Sequence, residues 1–246
     1  MRITYYHFSS VDSTNSWPKR HKGDFAKDTL AIITADEQTQ GRGRHLRSWI
    51  SPKGKNISLS FAFFEDTIAI FSPLFFSQIA ALCLVHVLKR YSIEAEIKWP
   101  NDLLIEGKKI SGILTEAEKE LDSTDTFIIL GIGLNVNMTQ DDLVNIPKAA
   151  TSMLIETGNI ISLKTLQDEI VKEFVLLWQK AKQEGVQSLE NEWLQRIDWM
   201  LAKEISIVDH GKELKGKIMR IEQDGSLTLL LADGTVYTAH SGDLFL

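Results

Sequence analysis

Polar positions interrupt the apolar runs of this chain in two rhythms, and the rhythms separate strands from helices. Residues 1–8, LAIITADEQ (30–38), NISLSFAFF (56–64), EAEIKW (94–99), KKISGILTEAE (108–118) and FIILGIGLNVN (127–137) are short and rich in β-branched or aromatic types, and they predict strands. Asp12, Ser13, Thr14 and Asn15 are all capping side chains ahead of a short helical stretch. Ser72-Pro73 predicts a helix start, with serine as cap and proline at the first helical position. The apolar residues that follow, through Leu88, fall on nearly every side, so this helix is expected to be well buried. A long amphipathic helix is predicted from a Ser162 cap to about residue 183, and a second over 188–197.

After Trp199 the texture becomes short strand-like runs, ISIVD, LKGKIMRIE, SLTLLLA and TVYTAH. They are divided by HGKE, QDG and ADG, which place glycine where tight hairpins want it. The expectation is a mixed α+β fold over residues 1–198 and a small β-barrel over 199–246. Hairpin-like strands adjoin one another, so regular βαβ alternation is not expected.

Composition narrows the function. The chain has 246 residues, 43% hydrophobic and 24% charged, with 27 Lys+Arg against 33 Asp+Glu. A net charge of −6 argues against a general nucleic-acid binder. The single cysteine, Cys83, allows no internal disulfide and reads as a small buried apolar residue. The N-terminus has no signal-peptide core, and no apolar run is read as reaching the ~18 residues of a membrane span. A cytoplasmic protein without a membrane partner is expected. Scattered histidines and one cysteine give no zinc spacing, and no P-loop or nucleophile elbow is present.

Against that acidic background, GRGRHLRSW (41–49) concentrates Arg42, Arg44 and Arg47 on a loop with two glycines and Trp49. Arginine presents a planar fork that matches carboxylate or phosphate; the alternative is a solvated basic turn. In IKWPNDLL (97–104), Asn101 and Asp102 follow a strand end, either as a turn cap or as polar groups for metal, lysine or proton. In GKKISGILTE (107–116), pleating puts Lys109 with Ser111 on one face and Lys108 with Ile110 on the other. One lysine therefore points inward and needs an anionic partner, unless the strand is a lysine-guarded edge. GIGLNVN (131–137) lacks the third glycine of a dinucleotide fingerprint; Asn135 and Asn137 share a face, facing a ligand or ending the strand.

Taken together, STN (13–15), EQTQGRGRHLRSW (37–49), KWPNDLL (98–104), KKISGILTE (108–116) and GIGLNVN (131–137) resemble the biotin protein ligases, and the β-rich tail resembles that family's C-terminal SH3-like barrel. The resemblance implies a mixed-sheet catalytic domain that activates biotin with Mg2+ and ATP to biotinyl-AMP. It also implies transfer of biotin to a lysine of the biotin carboxyl carrier domain of a carboxylase. It places Ser13, Thr14, Asn15 and Gln38 at the biotin ring, and Gly41, Arg42 and Gly43 over the biotin and its carboxylate. Arg44 and Arg47 go to phosphate, with Trp49 steadying the loop. Lys109 reaches the biotin carboxylate and the adenylate. Lys98, Asn101 and Asp102 fall on the nucleotide and metal side, with Asp102 as Mg2+ ligand and proton acceptor. Gly112, Gly131, Asn135 and Asn137 surround the biotin and adenosine sites. The loop is expected to order as ligands arrive.

One departure is Leu46, preceded by His45, where the family often has glycine. A lipoate or octanoate ligase would carry a glycine run with a following His-Asp, absent here. A DNA-binding repressor would place a helix-turn-helix ahead of STN. Only 12 residues precede Ser13, so no DNA partner is expected. A non-catalytic biotin binder would not need Lys109, Arg44 and Asp102 together. A homodimer through a sheet edge is left open.

Overall fold

The structure is a computed structural model describing residues 2–66, 73–119, 124–144, 146–209, 212–222, 225–240 and 242–245. The expected helix cap Ser72 lies outside the described residues, as do residues 210–211 of the HGKE turn, residues 223–224 of the QDG turn and the side chain of Leu46. In chain order the elements are β1 (Arg2–Phe8), α1 (Ser16–Arg20), β2 (Thr29–Ala35), β3 (Ile57–Glu65), α2 (Pro73–Arg90), β4 (Glu96–Lys98), β5 (Asp102–Ile105), β6 (Lys108–Lys119) and β7 (Thr126–Leu134). There follow α3 (Gln140–Leu143), α4 (Met153–Thr157), α5 (Leu163–Glu184), α6 (Gln187–Ile197), β8 (Glu204–Asp209), β9 (Lys212–Ile221), β10 (Leu227–Leu231), β11 (Val236–Ala239) and β12 (Asp243–Phe245).

The first seven strands form one mixed sheet, β1-β2-β3-β7-β6-β5-β4, in which β1 and β2 run parallel and the other pairs antiparallel. Its central strands are apolar at consecutive positions because both faces are covered. Leu30 and Ile32 of β2 enter the main core, whereas Ala31 and Ile33 point to a smaller aromatic layer with Phe25 and Phe127. The main core lies under α2, α5 and α6. Phe61 of β3 stacks on Phe174 of α5 with ring centroids 4.1 Å apart, each side chain fully buried and contributing roughly 1.5–3 kcal/mol by area alone.

The helices follow their sequence signals. Helix α2 is apolar on nearly every side and has buried residues from Phe75 to Leu88. By length and composition it could cross a membrane, which the reading of apolar runs missed; most of it is buried inside the protein as a core helix. Ser162 caps α5 by accepting a hydrogen bond from Thr165 N, and the apolar stripe Leu166, Ile170, Phe174, Leu177 and Ala181 faces the sheet layer.

Two elements depart from expectation. The WPN turn is the tip of a hairpin in which Lys98 pairs with Asp102, so β5 begins at Asp102 where the sequence suggested a loop. In β6, Leu103 pairs with Ser111 but Leu104 with Lys109, leaving Ile110 as a bulge. The bulge breaks the expected alternation, and Lys109 shares its face with Gly112 rather than with Ser111.

The last five strands form an antiparallel sheet, β11-β10-β9-β8-β12, whose pairings do not close into a barrel among the described residues. Gly234 supplies the left-handed φ of +83° that the ADG turn requires. This sheet shares the main core and is tied to the larger one by Trp99 Nε1 donating to Gly225 O at 2.8 Å and Trp199 Nε1 to Ile97 O at 3.0 Å.

Candidate active site

One cavity of about 550 Å³, within the range of small-molecule sites, gathers most of the motif residues. Its neutral polar end comes from the segment before α1. Of the four candidate caps, Ser13 bonds the start of that helix, its Oγ accepting from Asn15 N at 3.2 Å and its carbonyl from Trp17 N at 3.0 Å; the Asn15 side chain makes no cap bond and is turned into the site. Gln38 Oε1 accepts from Thr14 N at 2.8 Å and from Thr14 Oγ1 at 3.1 Å. Buried Ser60 Oγ lies 2.8 Å from Thr14 Oγ1 and 2.7 Å from Asn15 Oδ1, and Gln38 Nε2 donates to Ser58 Oγ. Ser58 and Ser60 are the fixed layer behind the wall. Sequence reading missed them because serine inside an apolar strand resembles ordinary patterning.

The glycines of β6 and β7 act by close approach. Gly112 and Gly133 pair directly across the two strands, and the Trp49 ring lies over them. A Cβ on Gly133 would meet Trp49 Cε2 at 2.3 Å, and one on Gly112 would meet Lys109 Nζ at 2.9 Å. Gly131 makes the same room for Asn15, whose Oδ1 would lie 2.2 Å from a Cβ there. Gly133 went unremarked in the sequence, although the GIG motif contains it.

The arginine loop is folded by its own hydrogen bonds, Gly43 N to Arg47 O at 2.7 Å and Trp49 N to Gly41 O at 2.9 Å. Its left-handed residue is His45, φ 52°, one position before the Leu46 that departs from the family. Arg42 forms a bidentate pair with Glu116. Arg44 donates to Gly242 O at 3.0 Å and Asn101 Oδ1 at 3.3 Å, joining the loop to the second sheet.

Lys109 Nζ lies 2.6 Å from Asp102 Oδ1 and 5.5 Å from the centroid of the Trp49 ring. The inward lysine thus has the carboxylate partner that burial demands. Its backbone pairs with the 149–151 segment, Lys109 N to Ala149 O and Thr151 N to Lys109 O. That segment brings Ile146, Pro147, Lys148 and Ala150 to the wall, none of them suggested by the sequence motifs; Ser48 and Ile50 line it from the end of the arginine loop. The described wall carries five fixed cations, Arg42, Arg44, Arg47, Lys109 and Lys148, against one carboxylate, Asp102. Glu116, just outside the wall, offsets Arg42, and the positive charge that remains in excess favours an anion.

Two buried polar atoms on this wall have no hydrogen-bond partner, the donor Trp49 Nε1 and the acceptor Asn135 Oδ1. Unsatisfied buried groups are uncommon, and each of these can bond to water or to a bound molecule. Asn135 Nδ2 donates to Thr151 O at 3.0 Å, which fixes the amide.

Three expected site residues lie outside the wall. Gly41 gives close passage to Trp49 O, Lys98 sits in β4, and Asn137 clamps Ile161 by bonds at 2.8 and 3.0 Å. Ser13, Thr14, Asn15, Gln38, Arg42, Gly43, Arg44, Arg47, Trp49, Asn101, Asp102, Lys109, Gly112, Gly131 and Asn135 are brought together on it. For a metal, the described residues hold no cluster of three His, Cys, Asp or Glu, and Asp102 is already paired with Lys109. One carboxylate fits a Mg2+ that arrives on a nucleotide and keeps phosphate and water ligands.

The sequence pattern of the biotin/lipoate A/B protein ligase family matches residues 8–135 of this chain. The bifunctional ligase/repressor BirA of Escherichia coli is 27% identical over 238 residues, 96% of this chain and 72% of BirA. The biotin–[acetyl-CoA-carboxylase] ligase of Mycobacterium tuberculosis is 32% identical over 127 residues, 50% of this chain and 44% of that protein. The match to BirA of Bacillus spizizenii, at 39% identity, spans 40% of that relative. The biotin protein ligase of Aquifex aeolicus, solved in complex with biotin and ATP, superposes with a TM-score of 0.77 at 25% identity, covering 99% of this chain and 97% of that one. The matched segment holds the polar end, the arginine loop, the Lys109–Asp102 pair and the glycine-lined strands, and on that match the chain belongs to the biotin/lipoate A/B protein ligase family.

Proposed function

We propose that the protein is an ATP-dependent biotin protein ligase that makes biotinyl-AMP and transfers biotin to a lysine of a biotin carboxyl carrier domain. The observation that carries this reading is the single cavity wall that combines a neutral hydrogen-bonding end with five fixed cations. A ureido ring offers one carbonyl and two N–H groups, which Ser13, Thr14, Asn15 and Gln38 can meet with both donors and acceptors. Ile113, Leu114 and Ile132 supply apolar lining for the rest of the molecule.

In the first step a biotin carboxylate oxygen attacks the α-phosphorus of ATP, and the bond to the bridging oxygen of pyrophosphate breaks. Two anions must meet, so Arg44, Arg47 and Lys109 offset the repulsion and stabilise the charge that develops. Mg2+ bound with ATP would add charge neutralisation at the phosphates, with Asp102 as the residue to hold it. In the second step the neutral amine of the carrier lysine attacks the acyl carbon and AMP leaves. A free lysine has a pKa near ~10.4, so a proton must first be lost. We assign that proton to Asp102, the wall's carboxylate among the described residues. Before substrates bind, the ion pair with Asp102 keeps Lys109 turned into the site. Residues 1–198 act as the catalytic domain, and 199–246 as a C-terminal domain that completes the site through Gly242.

The test is purified protein with Mg2+ and ATP and, in separate tubes, biotin, lipoate or octanoate, following pyrophosphate release and the acyl-adenylate by mass. Biotinyl-AMP is expected from biotin alone. An adenylate formed only with lipoate or octanoate, or with none of the acids, refutes the proposal.

A further inference from the structure

We propose that Glu116, which is not part of the cavity wall, is the positioning residue that latches the arginine loop to the polar end of the site. Arg42 Nη2 donates to Glu116 Oε1 at 3.0 Å and Arg42 Nη1 to Oε2 at 3.1 Å, the paired geometry in which guanidinium and carboxylate bind most strongly. The same Oε2 accepts from Asn15 Nδ2 at 3.1 Å. Arg42 also donates to Ser16 Oγ at 3.3 Å.

Three constraints follow from this one carboxylate. It occupies the fork of Arg42, so Arg42 serves the loop as an anchor. It fixes the direction of the Asn15 amide. With Nδ2 committed to Glu116 and to Leu114 O at 3.1 Å, Oδ1 is turned to Ser60 over Gly131. It also links the two ends of the wall, because the loop that carries Arg42 carries Arg44 and Trp49 as well. The Glu116 side chain is 19% exposed and that of Arg42 39%, so solvent weakens the pair but does not dominate it. Glu116 ends the KKISGILTE stretch, where its position in the outer part of β6 gave no hint of a bond to residue 42.

Insofar as it concerns catalysis, this inference rests on the ligase reading, so its test has one readout that does not. The variants are Glu116→Gln, Arg42→Gln and the double variant. Trypsin nicking after Arg44 and Arg47 reports the loop directly. Nicking at least ~10-fold faster is expected in either single variant, with no further increase in the double, because two changes that break one latch are not additive. In the ligase assay Glu116→Gln, which leaves every wall residue in place, should raise the KM for biotin about 10-fold and release biotinyl-AMP into solution faster, while kcat for adenylate formation stays within about threefold. Melting curves keep the readouts on folded protein, and exposed Arg42 gives a variant that leaves the core intact if Glu116→Gln unfolds. Unchanged nicking in Arg42→Gln, or additive effects in the double variant, would overturn the latch. Failure of the wild type to form biotinyl-AMP would overturn the ligase reading and leave the nicking result to stand by itself.

Discussion

Gly133→Ala separates the fold from the site with a single methyl group. The added Cβ would lie 2.3 Å from Trp49 Cε2, 2.6 Å from Cζ2 and 2.7 Å from Nε1. Carbon atoms in contact prefer about 3.5–4.0 Å, so the indole must retreat by about 1 Å or more. Gly133 belongs to a central strand paired on both sides, whereas Trp49 is carried by a loop, so the loop should give way. Overpacking costs ~1–3 kcal/mol where nothing can move; here the lower end is expected, a fall of roughly 2–4 °C in Tm for a chain of this size. The loop also carries Arg44 and Arg47, and a displacement of about 1 Å at a reacting centre can cost on the order of 100-fold in rate. Biotin-dependent pyrophosphate release should therefore fall about 100-fold while the melting curve barely moves. Trp49→Ala in the same background should remove the clash, so Gly133→Ala adds little to it. A Gly133→Ala protein with wild-type rate, or one that loses 10 °C of stability with its activity, would refute the reasoning.

Lys109→Ala should abolish most adenylate formation, by on the order of 100-fold or more in pyrophosphate release, with an unchanged far-UV circular dichroism spectrum. Ser162→Ala removes the cap of α5 and should cost roughly 0.5–2 kcal/mol, seen in urea unfolding with no change in KM. Asp142 is held at a pKa of about 2, first by the hydrogen bond from Lys55 and then by the Thr139 backbone N–H. A depressed carboxylate contributes stability that is full above its ordinary value near 3.8 and lost as pH falls toward 2. The Tm difference between wild type and Asp142→Asn should be constant at neutral pH and shrink between about pH 4 and 2; a difference that grows on acidification would contradict this.

The parts of the fold legible in the sequence were those where local chemistry and tertiary demand agree. The apolar surface of α2 and the Ser162 cap each mean the same thing in isolation as in the folded chain. The rest was hidden where tertiary contact reassigns a residue. Asn15 reads as a helix cap and spends its amide on Leu114 and Glu116 instead. The Ile110 bulge cannot be seen in a period-two pattern, and it moves Lys109 to the face of Gly112. Ile146, Pro147 and Lys148 carry no motif; they reach the wall because Lys109 pairs its backbone with residues 149–151. Ser58 and Ser60 show their role only once β3 lies beneath Thr14 and Gln38.

Two of the three loop arginines, Arg42 and Arg44, should leave different traces in evolution. Arg42 is held by a side chain, so a lineage that loses Glu116 is under pressure to change residue 42, and the two positions should covary. Arg44 bonds the side chain of Asn101 at 3.3 Å but also, at 3.0 Å, the backbone carbonyl of Gly242, an acceptor that no substitution there can remove. Gly242 has its own reason to persist, a φ of +137° and the side chain of Ile207 2.9 Å from where a Cβ would sit. Sequence covariation among relatives should therefore reveal the bond between Arg42 and Glu116 and pass over the one from Arg44 to Gly242, although the latter joins the two sheets.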